Sequence, residues 1–159
     1  MREYFELRVP ANPKMMCLVR KSISQASEMV GFSPREVAVI TLAVDEGCTN
    51  IIRHSYRESA NGEIVIRVRL YPDRIVIMLR DFGGEVDFRK LREGMFKRKE
   101  EIEKKGHTRP GGLGMMLIHS AMDKVQYKRC RNSGTVLRLV KYLSGDKEEN
   151  VTSKGAPRG

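Results

Sequence analysis

Val44–Asp45–Glu46–Gly47–Cys48–Thr49–Asn50, followed by Asp81–Phe82–Gly83–Gly84 and then by Gly111–Gly112–Leu113–Gly114–Met115, is the succession of segments on which the reading of this chain turns. An acidic residue four positions before an Asn is common, and so are Gly-rich turns. Their order, and the elements that carry them, make the combination informative and point to a nucleotide site.

The first segment lies on a helix. Ser33–Pro34–Arg35–Glu36 has the form of a capping box with Pro at the first helical position, and Val37, Ile40, Val44, Cys48 and Ile51 follow as an apolar stripe. At about 100° per residue, Glu46, Asn50 and Arg53 fall on the opposite side, within about 60° of one another. One turn of this second helix thus presents a carboxylate, an amide and a guanidinium. Such oxygen donors suit Mg²⁺, which prefers phosphate oxygens and water to a full protein cage. Glu46 is placed to take a proton from an attacking hydroxyl or water. From the helix alone, the wet face of an amphipathic element suffices to explain all three.

Working outward, residues 3–9 alternate weakly as a strand ended by Pro10. Asn12 is the cap and Pro13 the first residue of a helix whose apolar positions Met16, Val19, Ile23, Ala26 and Val30 run to Gly31. Glu63–Leu70 and Arg74–Arg80 form a hairpin across Tyr71–Pro72–Asp73. Gly112 to Met122 reads as a helix, and Lys124–Cys130 with Thr135–Leu143 as a closing hairpin. The stretch from Asp81 to Gly111 has no strong apolar period and is too long for an ordinary connection, so it is expected to be a mobile lid. Helices in one run and strands paired as hairpins predict an α+β fold, a two-layer sandwich in which helices cover one face of a mixed, mostly antiparallel sheet. Residues 1–143 form one domain in this reading, and 144–159 a polar, disordered tail.

Asp81 ends an apolar strand before glycines that permit a sharp turn or a close approach, and its carboxylate can accept an exocyclic amine. A strand-ending Asp turn explains it equally. Gly111–Gly112–Leu113–Gly114 precedes a helix whose first amides are unpaired and whose dipole favours anions, which suits phosphates or marks simply a helix entry. The spacing is neither that of a P-loop nor of a dinucleotide fingerprint.

The chain has 159 residues, 40% hydrophobic and 31% charged, which fits one globular domain. No run approaches the ~20 apolar residues of a membrane span and the N-terminus has no signal-peptide character, so a cytoplasmic protein is expected. Cys17, Cys48 and Cys130 fit neither a disulfide framework nor a zinc pattern and read as reduced thiols. The net charge of +10 would serve a polyphosphate, an acidic protein or nucleic acid. Much of it lies between Arg89 and Arg109, interleaved with acids, unlike a uniform nucleic-acid stripe. Aromatic residues are 6% with no Trp, which disfavours base stacking.

The order Glu-x-x-x-Asn, Asp-x-Gly, flexible stretch, Gly-x-Gly resembles the three nucleotide boxes of the gyrase, histidine kinase and MutL ATPase superfamily, over residues 1–142. The helix pair ahead of the boxes, the run Arg109–Ile118 and then Met122–Asp123–Lys124–Val125 are similar to the anti-sigma-factor serine-protein kinases. No dimerisation and phosphoacceptor helix pair is legible, unlike a full histidine kinase. The resemblance implies that Asn50 coordinates Mg²⁺, Glu46 is the general base, Asp81 bonds the adenine amino group, and Gly83, Gly112 and Gly114 let backbone approach ATP. It implies that Thr135 lies near adenine and Asp81, and that Arg109 reaches the γ-phosphate from the lid. Arg53 and His54 are candidate phosphate contacts, and Leu113 belongs to the same glycine loop. The implied protein binds a sigma factor and phosphorylates an anti-anti-sigma protein on Ser or Thr, as a homodimer. A regulatory switch that binds ATP but transfers little phosphate is the alternative, and a basic nucleic-acid binder a third. Gly47 inside helix two and the charged run Lys97–Lys105 depart from the family pattern.

Overall fold

The computed structural model describes residues 3–57, 61–84, 88–106 and 113–144. Strand β1 (Glu3–Pro10) leads through the 3₁₀ turn Pro13–Met15 into α1 (Met16–Val30), then α2 (Pro34–Asn50), which runs on into a π-turn at Ile51–Ser55. There follow β2 (Glu63–Leu70), β3 (Arg74–Asp81), α3 (Phe88–Lys105), α4 (Gly114–Ala121), β4 (Lys124–Arg129) and β5 (Thr135–Tyr142). The five strands form one sheet in the order β1-β2-β3-β5-β4, and all four pairings are antiparallel. The expected α+β sandwich is the one observed, with the sheet wholly antiparallel among the described residues.

The helix ends are set by local chemistry. Asn12 accepts a hydrogen bond from the Lys14 N–H at 3.0 Å, so it caps the 3₁₀ turn that feeds α1. Gly31 ends α1 at φ 105°, a conformation that costs glycine little. The capping box is complete: the Glu36 N–H donates to Ser33 Oγ at 3.3 Å, and the Ser33 N–H donates to Glu36 Oε2 at 2.9 Å. Ser144 Oγ donates to the other oxygen of the same carboxylate. These bonds, that from Ser144 above all, hold the Glu36 carboxyl below the usual carboxylate range. Beyond Ser144 the expected tail lies outside the described residues.

Alternation places Ile64, Ile66 and Val68 of β2, Ile75, Ile77 and Leu79 of β3, and Leu137 and Leu139 of β5 on one face, all buried. Val19, Ile23 and Ala26 of α1, Ile40, Ala43 and Val44 of α2, and Ile118 of α4 close the core from above. Each Val, Leu or Ile among them contributes about 1.5–3 kcal/mol through removal from water. Gly47 explains how near α2 comes to the sheet: a Cβ there would stand 2.7 Å from Leu79 Cδ1 and 3.3 Å from Leu137 Cδ2. A helix-interior glycine costs about 1 kcal/mol against alanine, which the close packing offsets. Gly47→Val is therefore expected to lower stability by about 1–3 kcal/mol through overpacking, whereas Gly47→Ala gains helix propensity and stays near neutral. Urea unfolding of the two variants checks this ordering.

Within the stretch expected to be a mobile lid, Phe88–Lys105 is an 18-residue helix that the sequence reading did not place. Its composition hid it. Only a few apolar residues mark a face, while Lys, Arg and Glu are good helix formers, and Glu93–Lys97, Glu100–Lys104 and Glu101–Lys105 have the favourable i,i+4 order. Smaller differences lie at element ends: α4 begins at Gly114 rather than Gly112, β4 stops at Arg129, β5 stops at Tyr142, and β3 extends to Asp81.

Candidate functional site

Asp81 ends β3 with no exposed surface, opposite Ile64 of β2. Burial of a carboxylate demands partners, and two are present. Thr135 Oγ1 donates to Oδ2 at 2.5 Å, and the Gly83 N–H donates to Oδ1 at 3.1 Å. Thr135 is itself buried, at the start of β5 beside β3. A carboxylate offers about four acceptor directions, so capacity remains for an exocyclic amine beyond these two bonds.

The turn after Asp81 is fixed on three sides. The Gly84 N–H donates to Ser55 O at 2.9 Å, and a Cβ on Gly83 would fall on that same carbonyl and lie 2.7 Å from Ser55 C. Gly83 is thus required by the π-turn that ends α2. Tyr56 Oη accepts from the Phe82 N–H at 2.9 Å and donates to Glu63 O at 2.6 Å. Gly134, at φ 73°, brings the β4–β5 hairpin so close that a Cβ would fall on the Asp81 carbonyl, and Ser133 Oγ donates to Phe82 O at 3.3 Å. Ser55 and Tyr56 went unnoticed in the sequence, and Ser133 and Gly134 were legible there as the turn of the closing hairpin but not as supports of Asp81. The only available signal was Gly134 at the hairpin turn.

Above this base stands α2. Gly47 lies over Leu79 and Leu137, two residues from Asp81 and Thr135 respectively, so its neighbour Glu46 is carried to the same end of the sheet. Glu46 and Asn50 are half-buried and one turn apart on α2. The Glu46 carboxyl lies against Gly114, the first residue of α4: a Cβ built there would fall on Oε2 and stand 3.4 Å from Cδ. Leu113 precedes it as the exposed N-cap residue. Glu46, Asn50, Asp81, Gly83, Leu113, Gly114 and Thr135 are thus distributed over α2, the end of β3, the start of α4 and the start of β5.

Arg53 and His54 are placed differently. The π-turn Ile51–Ser55 changes the rotation per residue, so α-helical phasing from Glu46 does not carry through to Arg53. Arg53 lines, with Thr49, Ile52 and the start of α1, a cleft of about 570 Å³. His54 is exposed on the same turn. Arg109 and Gly112 lie outside the described residues, as does the loop that joins α3 to α4.

The donor set fits the expected ligands. Among the described residues no group of three or more His, Cys, Asp or Glu side chains forms a cage for a metal. An amide and a carboxylate one turn apart suit a Mg²⁺ that takes its other oxygens from phosphates and water. The three cysteines are unpaired, and burial pushes the Cys48 thiol up to about 12, away from reactivity. No helix among the described residues is long and apolar enough to cross a membrane.

Comparison with known proteins finds relatives that match nearly the whole chain. The serine-protein kinase RsbW of Bacillus subtilis (strain 168) is 30% identical over 95% of this chain and 92% of its own length. The protein of the same name from Oceanobacillus iheyensis is 33% identical over 94% of this chain and 90% of its own, and that from Bacillus cereus (strain Q1) 32% over 93% and 90%. The profile of the histidine kinase-like ATPase domain matches residues 9–141, which include α2 with Glu46 and Asn50, the Asp81 turn, α4 and Thr135. With that match spanning most of the sheet and every element of the site, the chain belongs to the histidine kinase-like ATPase family.

Proposed function

We propose that this protein is an ATP-dependent serine-protein kinase and anti-sigma factor, which sequesters a sigma factor and phosphorylates an anti-anti-sigma partner on Ser or Thr. The observation that carries the nucleotide reading is Asp81: a fully buried carboxylate with spare acceptor capacity, fixed by Thr135 and Gly83, at the end of the sheet over which α2 carries Glu46 and Asn50. The kinase reading is supported by relatives named serine-protein kinases that match this chain nearly end to end.

In this reading Asp81 accepts the adenine amino group, and Thr135 keeps the carboxylate turned toward it. Gly83 and Gly112 let main chain come close to the nucleotide, with Leu113 in the same glycine loop, and Asn50 ligates Mg²⁺. Bound Mg-ATP supplies the γ-phosphoryl group, which passes to the acceptor hydroxyl as the bond to ADP breaks. Glu46 takes the proton that the hydroxyl loses. Arg109 acts as a phosphate contact from the lid. The protein works in the cytoplasm as a homodimer, and its +10 charge steers an acidic partner in a salt-dependent way.

The test is transfer of radiolabelled phosphate from ATP to candidate partner proteins, with Asn50→Ala alongside. The wild-type protein is expected to label a Ser or Thr of one partner. Asn50→Ala is expected to lose the Mg²⁺ dependence of ATP binding. Mg²⁺-dependent binding unchanged in Asn50→Ala removes the metal assignment, and failure to label any partner or to retain a sigma factor removes the kinase and anti-sigma assignment.

A further inference from the structure

We infer that Gly114 is a positioning residue for the proton-accepting carboxylate, its missing side chain being the space that the Glu46 carboxyl occupies. The inference rests on the proposed reading of Glu46 as the base, and it gives Gly114 a role distinct from letting main chain near the nucleotide. Gly114 does not adopt a positive φ, so no backbone strain requires glycine there. It is the first residue of α4, where alanine is the better helix former. The three nearest atoms that a Cβ would meet, among the described residues, all belong to one side chain: it would overlap Glu46 Oε2, stand 3.4 Å from Cδ and 3.7 Å from Cβ of the same residue.

The consequence is a separation of stability from chemistry. The carboxyl is the far end of a flexible side chain, and Glu46 is only half-buried, so Gly114→Ala displaces it at little cost to the fold. A base has no such tolerance. Catalytic groups need placement within about 0.5 Å, and a misplacement of about 1 Å costs on the order of 10²-fold in rate. Gly47, by contrast, faces the hydrophobic core, so a side chain larger than alanine there is felt in stability.

The experiment compares wild type, Gly114→Ala, Glu46→Asp and the double variant, with Glu46→Gln as reference. Three quantities are read: single-turnover hydrolysis of Mg-ATP, ATP affinity by calorimetry, and thermal midpoint. A fourth readout needs no turnover, the carbon-13 resonance of the Glu46 carboxyl in the ATP-free protein, assigned by its loss in Glu46→Gln. Gly114→Ala is expected to keep the wild-type midpoint or exceed it, to hold ATP within about threefold, to shift the Glu46 resonance and to lose about 10–10²-fold in rate. Glu46→Asp draws the carboxyl back by one methylene and clears the overlap. Adding Gly114→Ala to that variant should then cost less than about threefold, a non-additivity that a purely structural effect at this glycine would not produce.

Should Gly114→Ala turn over at the wild-type rate with an unmoved Glu46 resonance, while Glu46→Gln is inactive, the positioning role is wrong and the base reading stands. Loss of ATP affinity in Gly114→Ala with an unmoved resonance also overturns it, in favour of direct main-chain contact with the nucleotide. A Glu46→Gln protein as active as wild type removes the base reading and this inference with it.

Discussion

Glu46→Gln is expected to retain ATP while phosphoryl transfer falls by about 10²–10⁴-fold, the largest effect of any single substitution proposed for this protein. The amide keeps the volume of the carboxyl that fills the space beside Gly114, so the start of α4 is undisturbed. It cannot accept a proton from the attacking hydroxyl. Binding and chemistry should therefore separate: calorimetry with Mg-ATP gives a wild-type affinity, and single-turnover transfer to the partner protein gives the loss. A wild-type transfer rate would show that Glu46 is a structural side chain and that the proton goes elsewhere.

Asp81→Asn is expected to weaken ATP by about 1–3 kcal/mol, roughly a 5- to 150-fold rise in dissociation constant. The carboxylate now receives the Thr135 hydroxyl on one oxygen and the Gly83 amide on the other. In the Asn variant one of those oxygens becomes an NH₂ donor. Whichever way the amide turns, it sets a donor against a donor or leaves the Thr135 hydroxyl to reorient, and the acceptor offered to an exocyclic amine is neutral. Thr135→Ala leaves the carboxylate in place but frees its rotation, so it should weaken ATP less. Titration of the three proteins with ATP and with an adenine nucleotide analogue lacking the exocyclic amine makes the comparison. The analogue should bind wild type and Asp81→Asn alike. If Asp81→Asn discriminates the two nucleotides as wild type does, the carboxylate is not the adenine acceptor.

The two effects occupy different links of one chain of causes. Glu46 acts on the barrier after ATP is held, whereas Asp81 acts on holding it, and α2 joins them because Gly47 lets the helix settle onto the β3–β5 pair.

Much of the architecture was legible in the sequence because local chemistry and burial there point the same way. The capping box at Ser33–Glu36 and the stripe Val37, Ile40, Val44, Cys48 fixed α2, and buried positions at alternate residues fixed β2 and β3. The boxes around Glu46, Asn50, Asp81 and Gly114 were recognisable since each puts a specific atom type at a specific element end. Helix α3 was not legible: its charged residues are stabilised by propensity and neighbouring charges rather than by a buried stripe, and periodicity of burial was the signal being read.

What the tertiary structure alone decided is which distant groups touch. The resemblance put Thr135 near Asp81, but the bond between them across 54 positions follows from the pairing of β3 with β5, and that Ser55 dictates a glycine at 83 follows from a π-turn at the end of α2. The same strand register gathers Arg67, Arg80 and Arg138 on the face of the sheet away from α1 and α2, a concentration of charge that is dispersed along the sequence. The contact of Glu46 with Gly114 is of this kind too. A sequence specifies torsions and patterns over a few residues, whereas these contacts depend on how β-register and helix packing superpose elements far apart in the chain, and a one-residue change of register would undo them.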